Sequence, residues 1–322
     1  MVQRVFVFPG QGSQSMGMMA DLAARDPVIR ETFAEASDAL GMDLWKLVQD
    51  GPAERLAETA ITQPVMLTAG VATWRYWQRQ GGQPPTAVAG HSLGEFTALA
   101  VAEALEFPTA VRLVRTRGQL MQEAVPAGVG AIAAVLGLED GQIALACHEA
   151  AHGEIVESVN FNSSGQVVIA GHAGAVQRAL EACNMRGARR TVMLPMSVPA
   201  HSSLMEPAAR HFADHMAEAD LRAPAFDFWS PVDSRRHSDP EDIRQLLVRQ
   251  LTSPVHWKEL IRVLAEAGVR MFVECGPGKV LTGLNKRAER RRDLVCIALE
   301  DAAAVSEALI QQTDNDEKGS AS

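Results

Sequence analysis

The sequence predicts an α/β fold: a mainly parallel sheet interrupted by a small inserted α+β unit. Three observations predict it. Strand-length apolar runs alternate with helix-length amphipathic runs. The pentapeptide Gly90-His91-Ser92-Leu93-Gly94 lies between one such strand and one such helix. Between about residues 126 and 197 the order becomes strand, helix, strand, strand, helix, strand.

Residues 5–8 form a first buried strand, closed by the turn Pro9-Gly10-Gln11-Gly12. Helical patterning follows to Leu40 and again over 44–48, with Gly41 and Gly51-Pro52 as stops. Residues 64–80 read as a buried helix ended by Gly81-Gly82. A strand over 86–89 leads through the pentapeptide into a helix over 96–105, and a further helix covers 108–123. The inserted unit begins after Val125-Pro126. Its strands are expected at 130–136, 155–160, 166–170 and 190–194, its helices at 140–152 and 173–186, with a turn at Asn162-Ser163-Ser164-Gly165. That order is ferredoxin-like. The chain then returns to the first unit at Pro199-Ala200-His201. A late strand is expected at 269–274 before Cys275-Gly276-Pro277-Gly278, and a last one at 294–299. The polar tail from Thr313 reads as disordered. The expected division is therefore 1–125 with 198–312, an insertion at 126–197, and a tail at 313–322.

Composition bounds the function. The 322 residues are 47% hydrophobic, enough for a sizeable core. Acidic residues outnumber basic ones, 39 to 30, for a net charge of -9, which argues against general nucleic-acid binding. The four cysteines are scattered and form no C-x-x-C, as expected of reduced cytosolic thiols. The apolar start is too short for a signal peptide, and no run is long enough to span a membrane. A soluble cytoplasmic protein is expected.

Gly90 to Gly94 has the form of a nucleophile elbow on an α/β-hydrolase-like core. Glycines allow the sharp turn, and the serine is left exposed near the positive end of the next helix. A glycine-rich turn with an N-cap serine gives the same letters. A serine hydroxyl needs a base to become a nucleophile. His201 is the better candidate, in an irregular stretch just after a strand where catalytic residues often lie, although a buried histidine satisfied by backbone groups reads at least as well. His256 with Asp233 or Asp239 also stays open.

Four other motifs carry less. His148-Glu149-Ala150-Ala151-His152 matches H-E-x-x-H, but Gly153 follows at once and no third ligand is in place. His211 and His215 read as a polar helix face. Gly10-Gln11-Gly12 misses the third glycine of a dinucleotide fingerprint. Gly278-Lys279 lacks the leading glycine of a phosphate loop, and Val280 replaces its hydroxyl residue.

Taken together, several motifs give a resemblance over nearly the whole chain. They are Phe8-Pro9-Gly10-Gln11-Gly12-Ser13-Gln14, Gly90 to Glu95, Arg117-Gly118 with Met121-Gln122, Asn160-Phe161-Asn162 with Gly165 to Val168, Pro199-Ala200-His201, and Gly276 to Leu281. In this order the chain resembles the malonyl-CoA:acyl-carrier-protein transacylases of type II fatty-acid synthesis. The resemblance implies that Ser92 attacks the malonyl thioester and His201 takes its proton. It implies an oxyanion hole from the backbone N–H groups of Gln11 and Leu93, and a Gln250 carbonyl that steadies the histidine. Arg117 would grip the free malonyl carboxylate through a planar fork that lysine cannot copy. Met121 and Asn162 would complete the substrate site, and Leu93 fits malonyl rather than larger extender units. The second half-reaction would pass malonyl to the phosphopantetheine thiol of acyl carrier protein, giving ping-pong kinetics.

The resemblance implies no cofactor beyond the coenzyme A of the substrate. Because carrier proteins are acidic, a local basic patch must guide docking. The candidates are Arg186, Arg189 and Arg190 on the insertion, and Lys286, Arg287, Arg290, Arg291 and Arg292 after the late turn. Two positions depart from the family pattern: Ala200, where many members have serine, and Ser164, where many have proline. A serine hydrolase is the alternative from another reaction class, and a non-catalytic carrier-binding module is a second.

Overall fold

The computed structural model describes residues 4–126, 128–196 and 198–320, with side chains to Gln312. Strand β1 (Arg4–Phe8) is buried along its whole length. Helices α1 (Ala20–Arg25), α2 (Val28–Leu40), α3 (Leu44–Asp50) and α4 (Ala53–Ala57) follow, then the long α5 (Thr59–Arg79). Strand β2 (Ala87–Gly90) leads into α6 (Gly94–Val101) and α7 (Phe107–Glu123).

The antiparallel unit comprises β3 (Gly130–Leu136), α8 (Asp140–Ala150), β4 (Val156–Ser163), β5 (Gln166–His172), α9 (Ala173–Met185) and β6 (Arg190–Met193). The chain then adds α10 (Glu206–Glu218), β7 (Asp227–Ser230), β8 (Arg235–His237), α11 (Pro240–Arg249) and α12 (Trp257–Glu266). It closes with β9 (Met271–Glu274), α13 (Val280–Ala288), β10 (Val295–Ala298) and α14 (Ala302–Ser320).

The strands sort into two sheets. One has the order β10-β9-β1-β2-β7-β8, parallel except for the edge strand β8. Its central strands are apolar on both faces, as a sheet covered by helices on both sides requires. The other sheet is antiparallel with order β4-β5-β3-β6, which is the ferredoxin-like arrangement. Each has its own core. Phe6, Phe33, Trp77, Phe96 and Phe212 belong to the largest apolar cluster, while Val135, Ile143, Ile169 and Val176 belong to a separate one between the second sheet and its helices.

The alternation of strands and helices seen in the sequence matches this α/β architecture. Several local readings need correction. Helix α5 starts five residues before Pro64, which lies inside it. Proline has no N–H to offer the Ala60 carbonyl one turn back, and Arg115 Nη1 donates to that oxygen instead at 2.7 Å. The hairpin turn is tighter than expected, because β4 runs to Ser163 and only Ser164 and Gly165 separate the strands. The backbone continues as helix α14 to Ser320, beyond the expected domain end at 312; residues 321 and 322 lie outside the described residues. Strands β7 and β8 were missed because Asp227 to His237 is short and mostly polar. Among the described residues no helix is long and apolar enough to cross a membrane.

Candidate active site

The site is built where β2 ends. At Gly90 a Cβ would lie 1.9 Å from the Gly94 backbone, and at Gly94 it would lie 2.0 Å from the Phe8 carbonyl oxygen. No side chain fits at either position, so the elbow closes against the end of β1. Ser92 stands at the tip with φ 54, a left-handed conformation that costs of order 1–3 kcal/mol in a non-glycine residue. His201 has a similarly strained φ of 66.

These two strained residues meet. Ser92 Oγ lies 2.7 Å from His201 Nε2, although they are far apart in sequence. The Gln250 carbonyl oxygen lies 2.8 Å from His201 Nδ1. A carbonyl can only accept, so Nδ1 carries the hydrogen and Nε2 turns its lone pair to the serine. Burial, with the Arg117 charge adding to it, pushes the imidazole down to about 3. His201 is therefore neutral and able to accept a proton at neutral pH.

Arg117 is 1% exposed on α7. Gly118 brings this helix onto α5, since a Cβ there would lie 2.7 Å from the Ala60 Cα. The guanidinium donates to Gln63 Oε1 and Gln250 Oε1, both at 2.8 Å, and reaches Ser92 Oγ at 3.3 Å. Burial lowers it to about 10, against the pull of Glu95, so it stays cationic at neutral pH.

A small cavity of about 70 Å³ opens among these groups, lined in part by Gln11, Ser92, Leu93, Arg117, Met121 and His201. The backbone N–H groups of Gln11 and Leu93 donate to no other protein group among the described residues. Gly10 keeps the first turn against the elbow, where a Cβ would sit 2.7 Å from the His91 carbonyl oxygen. The small cavity shares Gln11, His91, Ile132, Asn160 and Met196 with a channel of about 440 Å³. That channel runs between the two sheets and is also lined by Gln166, Val280 and Leu284.

The fold thus brings Ser92, His201, Arg117, Met121, Gln250, Gln11 and Leu93 to one place. Asn162 lies farther out, in the channel wall, with Oδ1 2.8 Å from His91 Nε2. The His256 alternative is taken apart. His256 stacks on Phe161, Asp233 pairs with His237, and Asp239 caps α11. In the H-E-x-x-H stretch, Glu149 pairs with Arg186, and His152 lies beyond the end of α8.

The chain matches the model of the acyl transferase domain over residues 5–317. It is 54% identical over 311 residues to the malonyl CoA-acyl carrier protein transacylase of Salmonella typhimurium, covering 97% of this chain and 100% of that one. The chain belongs to the acyl transferase family. The Bacillus subtilis member, of the same name, is 40% identical across 96% of this chain and 98% of its own. Among solved acyl transferases, the malonyl-CoA:acyl carrier protein transacylase of Xanthomonas oryzae superposes with a TM-score of 0.94 at 50% identity, covering 97% of this chain and 98% of its own. A malonyl-transacylase in complex with a type II polyketide acyl-carrier protein also gives 0.94 at 50% identity, covering 96% and 99%.

Within this acyl transferase, sequence reasoning missed three side chains. Gln63 holds Arg117 and carries no motif. Asn160, quoted in a motif but given no role, lines both cavities, and its Oδ1 is buried without a partner among the described residues. Glu95, read only as the end of the elbow motif, is fully buried and accepts from Gln250 Nε2 at 2.7 Å. The signal for Glu95 was available: an acidic residue in an otherwise apolar helix needs a reason to be there.

The basic candidates are scattered. Arg186 is engaged by Glu149, and Arg291 by Asp293 at 2.9 Å. Arg189 and Arg190 are exposed at the start of β6, and Lys286, Arg290 and Arg292 are exposed on and after α13. Arg287 is exposed and reaches Gln166 Oε1, at the channel wall, at 3.4 Å.

Proposed function

We infer that this chain transfers the malonyl group of malonyl-CoA to the phosphopantetheine thiol of acyl carrier protein, through a malonyl ester on Ser92. The observation that carries the reading is the buried Arg117 cation 3.3 Å from a serine hydroxyl that is itself 2.7 Å from a neutral imidazole. A nucleophile beside a sequestered guanidinium fits an acyl group that ends in a carboxylate.

In the first half-reaction His201 Nε2 takes the Ser92 proton as Oγ attacks the thioester carbon. The developing oxyanion turns to the N–H groups of Gln11 and Leu93, each worth about 3 kcal/mol of barrier. The proton returns through His201 to the departing coenzyme A sulfur. In the second, the carrier thiol gives its proton to His201 and attacks the malonyl ester; the Ser92 C–O bond breaks and His201 returns the proton to Oγ, regenerating the serine. The channel of about 440 Å³ between the sheets would take the pantetheine arm, with Ile132, Val168 and Leu194 offering apolar contacts and Asn160, Asn162 and His91 polar ones. Coenzyme A enters as part of the substrate, and the reading assigns the chain no cofactor of its own. It keeps 1–125 with 198–312 as the catalytic unit and 126–197 as the insertion, and it takes place in the cytoplasm, where fatty-acid elongation consumes malonyl carrier protein.

Mixing the protein with malonyl-CoA and measuring intact mass tests the reading. A malonyl adduct is expected, absent in Ser92→Ala and discharged by holo carrier protein. Release of free malonate with no carrier acylation makes the chain a thioester hydrolase instead. No adduct at all makes it a carrier-binding module.

A further inference from the structure

Arg117 makes no contact with a carboxylate among the described residues: its terminal nitrogens rest on two amide oxygens and a hydroxyl. The anion that its field reaches is Glu95, one side chain away. Gln250 stands between them, its Oε1 accepting from Arg117 and its Nε2 donating to Glu95 Oε1 at 2.7 Å and to the Ser92 carbonyl at 2.9 Å. Arg117 and Glu95 are both almost completely shielded from water. A malonyl group on Ser92 brings a second carboxylate into this closed space. Two buried anions then share one cation, and like charges in low dielectric do not both persist. The malonyl carboxylate touches the guanidinium directly and keeps its charge. Glu95 is held at one remove; among the described residues its Oε2 has no partner at hydrogen-bond distance, and the nearby Ser230 hydroxyl can turn from donor to acceptor, so a proton can sit there without breaking the bond to the Gln250 amide.

We propose that Glu95 is the resident counter-ion of Arg117 and takes up a proton from solvent when a malonyl carboxylate occupies the site. It is a positioning residue, acting on the substrate through Gln250 and Arg117, and the inference rests on the malonyl reading above. The surroundings make the exchange inexpensive. Burial already pushes the Glu95 carboxyl up to about 7, while Gln250, Ser230 of β7, Arg117 of α7 and His237 of β8 draw it back. His237 is in turn held between Asp233 and Asp242.

Acylation itself is proton-neutral. The ester C–O bond forms, the thioester C–S bond breaks, and the serine proton leaves on the coenzyme A thiol, which stays protonated below about pH 8. Any proton taken from solvent per adduct therefore reports a protein group. The test mixes the full-length enzyme with malonyl-CoA in weak buffer containing a pH indicator and counts adducts by intact mass. We expect roughly half a proton per adduct near pH 7, falling towards zero near pH 5, where Glu95 is already protonated. Acetyl-CoA, whose acyl group is neutral, should give an adduct with no uptake, and Glu95→Gln should abolish uptake per malonyl adduct. Should Glu95→Gln fail to fold, the wild-type comparison of malonyl with acetyl across pH carries the test alone. A full adduct with less than a tenth of a proton near pH 7 overturns the proposal and leaves the malonyl reading intact, as does equal uptake in Glu95→Gln. Absence of the adduct overturns the malonyl reading and the proposal with it.

Discussion

Three side chains set the chemistry of the site through burial and hydrogen bonding. A histidine in water titrates near 6.5, and an enzyme using one usually loses activity as pH falls through that value. His201 is held down to about 3, so its basic form is fully present above that value and is lost only as pH falls through it. The kcat/KM profile for malonyl-CoA should therefore show no histidine limb near 6.5. An inflection near 7 belongs to Glu95 and should vanish in Glu95→Gln. His201→Ala should lower kcat by about 10²- to 10⁴-fold, the usual worth of a general base. Arg117→Ala should lower kcat/KM for malonyl-CoA by roughly 10- to 150-fold, the range for a charged hydrogen bond, and narrow the gap to acetyl-CoA. An unchanged malonyl preference would refute the carboxylate role.

Secondary-structure elements convert close backbone approach into site geometry. The elbow of β2 and α6 stands against β1 only because Gly90 and Gly94 lack side chains. Gly94→Ala places a methyl 2.0 Å from the Phe8 oxygen, which cannot move without disturbing the Gln11 turn just beyond it. We expect a loss of about 1–3 kcal/mol of stability. The acylation rate should fall by more than the unfolded fraction explains, checked by thermal melting and by adduct formation under folded conditions. Helices α5 and α7 act in the same way. Their approach at Gly118 puts Gln63 against Arg117, while Arg115 satisfies the carbonyl that Pro64 leaves open.

The whole molecule is a channel between two separately cored units. Its two sides are tied in several places: Phe161 N to the Val255 carbonyl at 2.9 Å, Lys258 to Asp140 at 2.5 Å, and Glu157 to the Ser203 backbone and hydroxyl, both at 2.8 Å. The last tie fixes the chain just after His201, so the insertion helps hold the strained loop that carries the base. At the channel wall Arg287 is the basic residue with the best claim on an acidic carrier. Arg287→Glu should raise KM for carrier protein roughly two- to fivefold while leaving KM for malonyl-CoA nearly unchanged, as for a partly exposed charge pair. Arg291→Glu should do less, because Asp293 already holds that guanidinium. Steady-state kinetics with each substrate varied separately decides both.

Much of this was legible along the chain. Periodicity revealed the alternating strands and helices and the inserted β-α-β-β-α-β order, because those patterns follow from which residues must face a core. The elbow could be read because its glycines answer a steric demand that is local. Its place just after a strand favoured His201, but resemblance alone singled out Arg117 and Gln250, and nothing local could have done so: their partners are 25 to 158 positions away. The tertiary structure alone decided that the imidazole is neutral, that an amide separates the Arg117 and Glu95 charges, and that Asn160 faces both cavities while Asn162 turns to His91. Charge state and hydrogen-bond partnership depend on which distant segments exclude water from one another, and a linear sequence carries no measure of that exclusion.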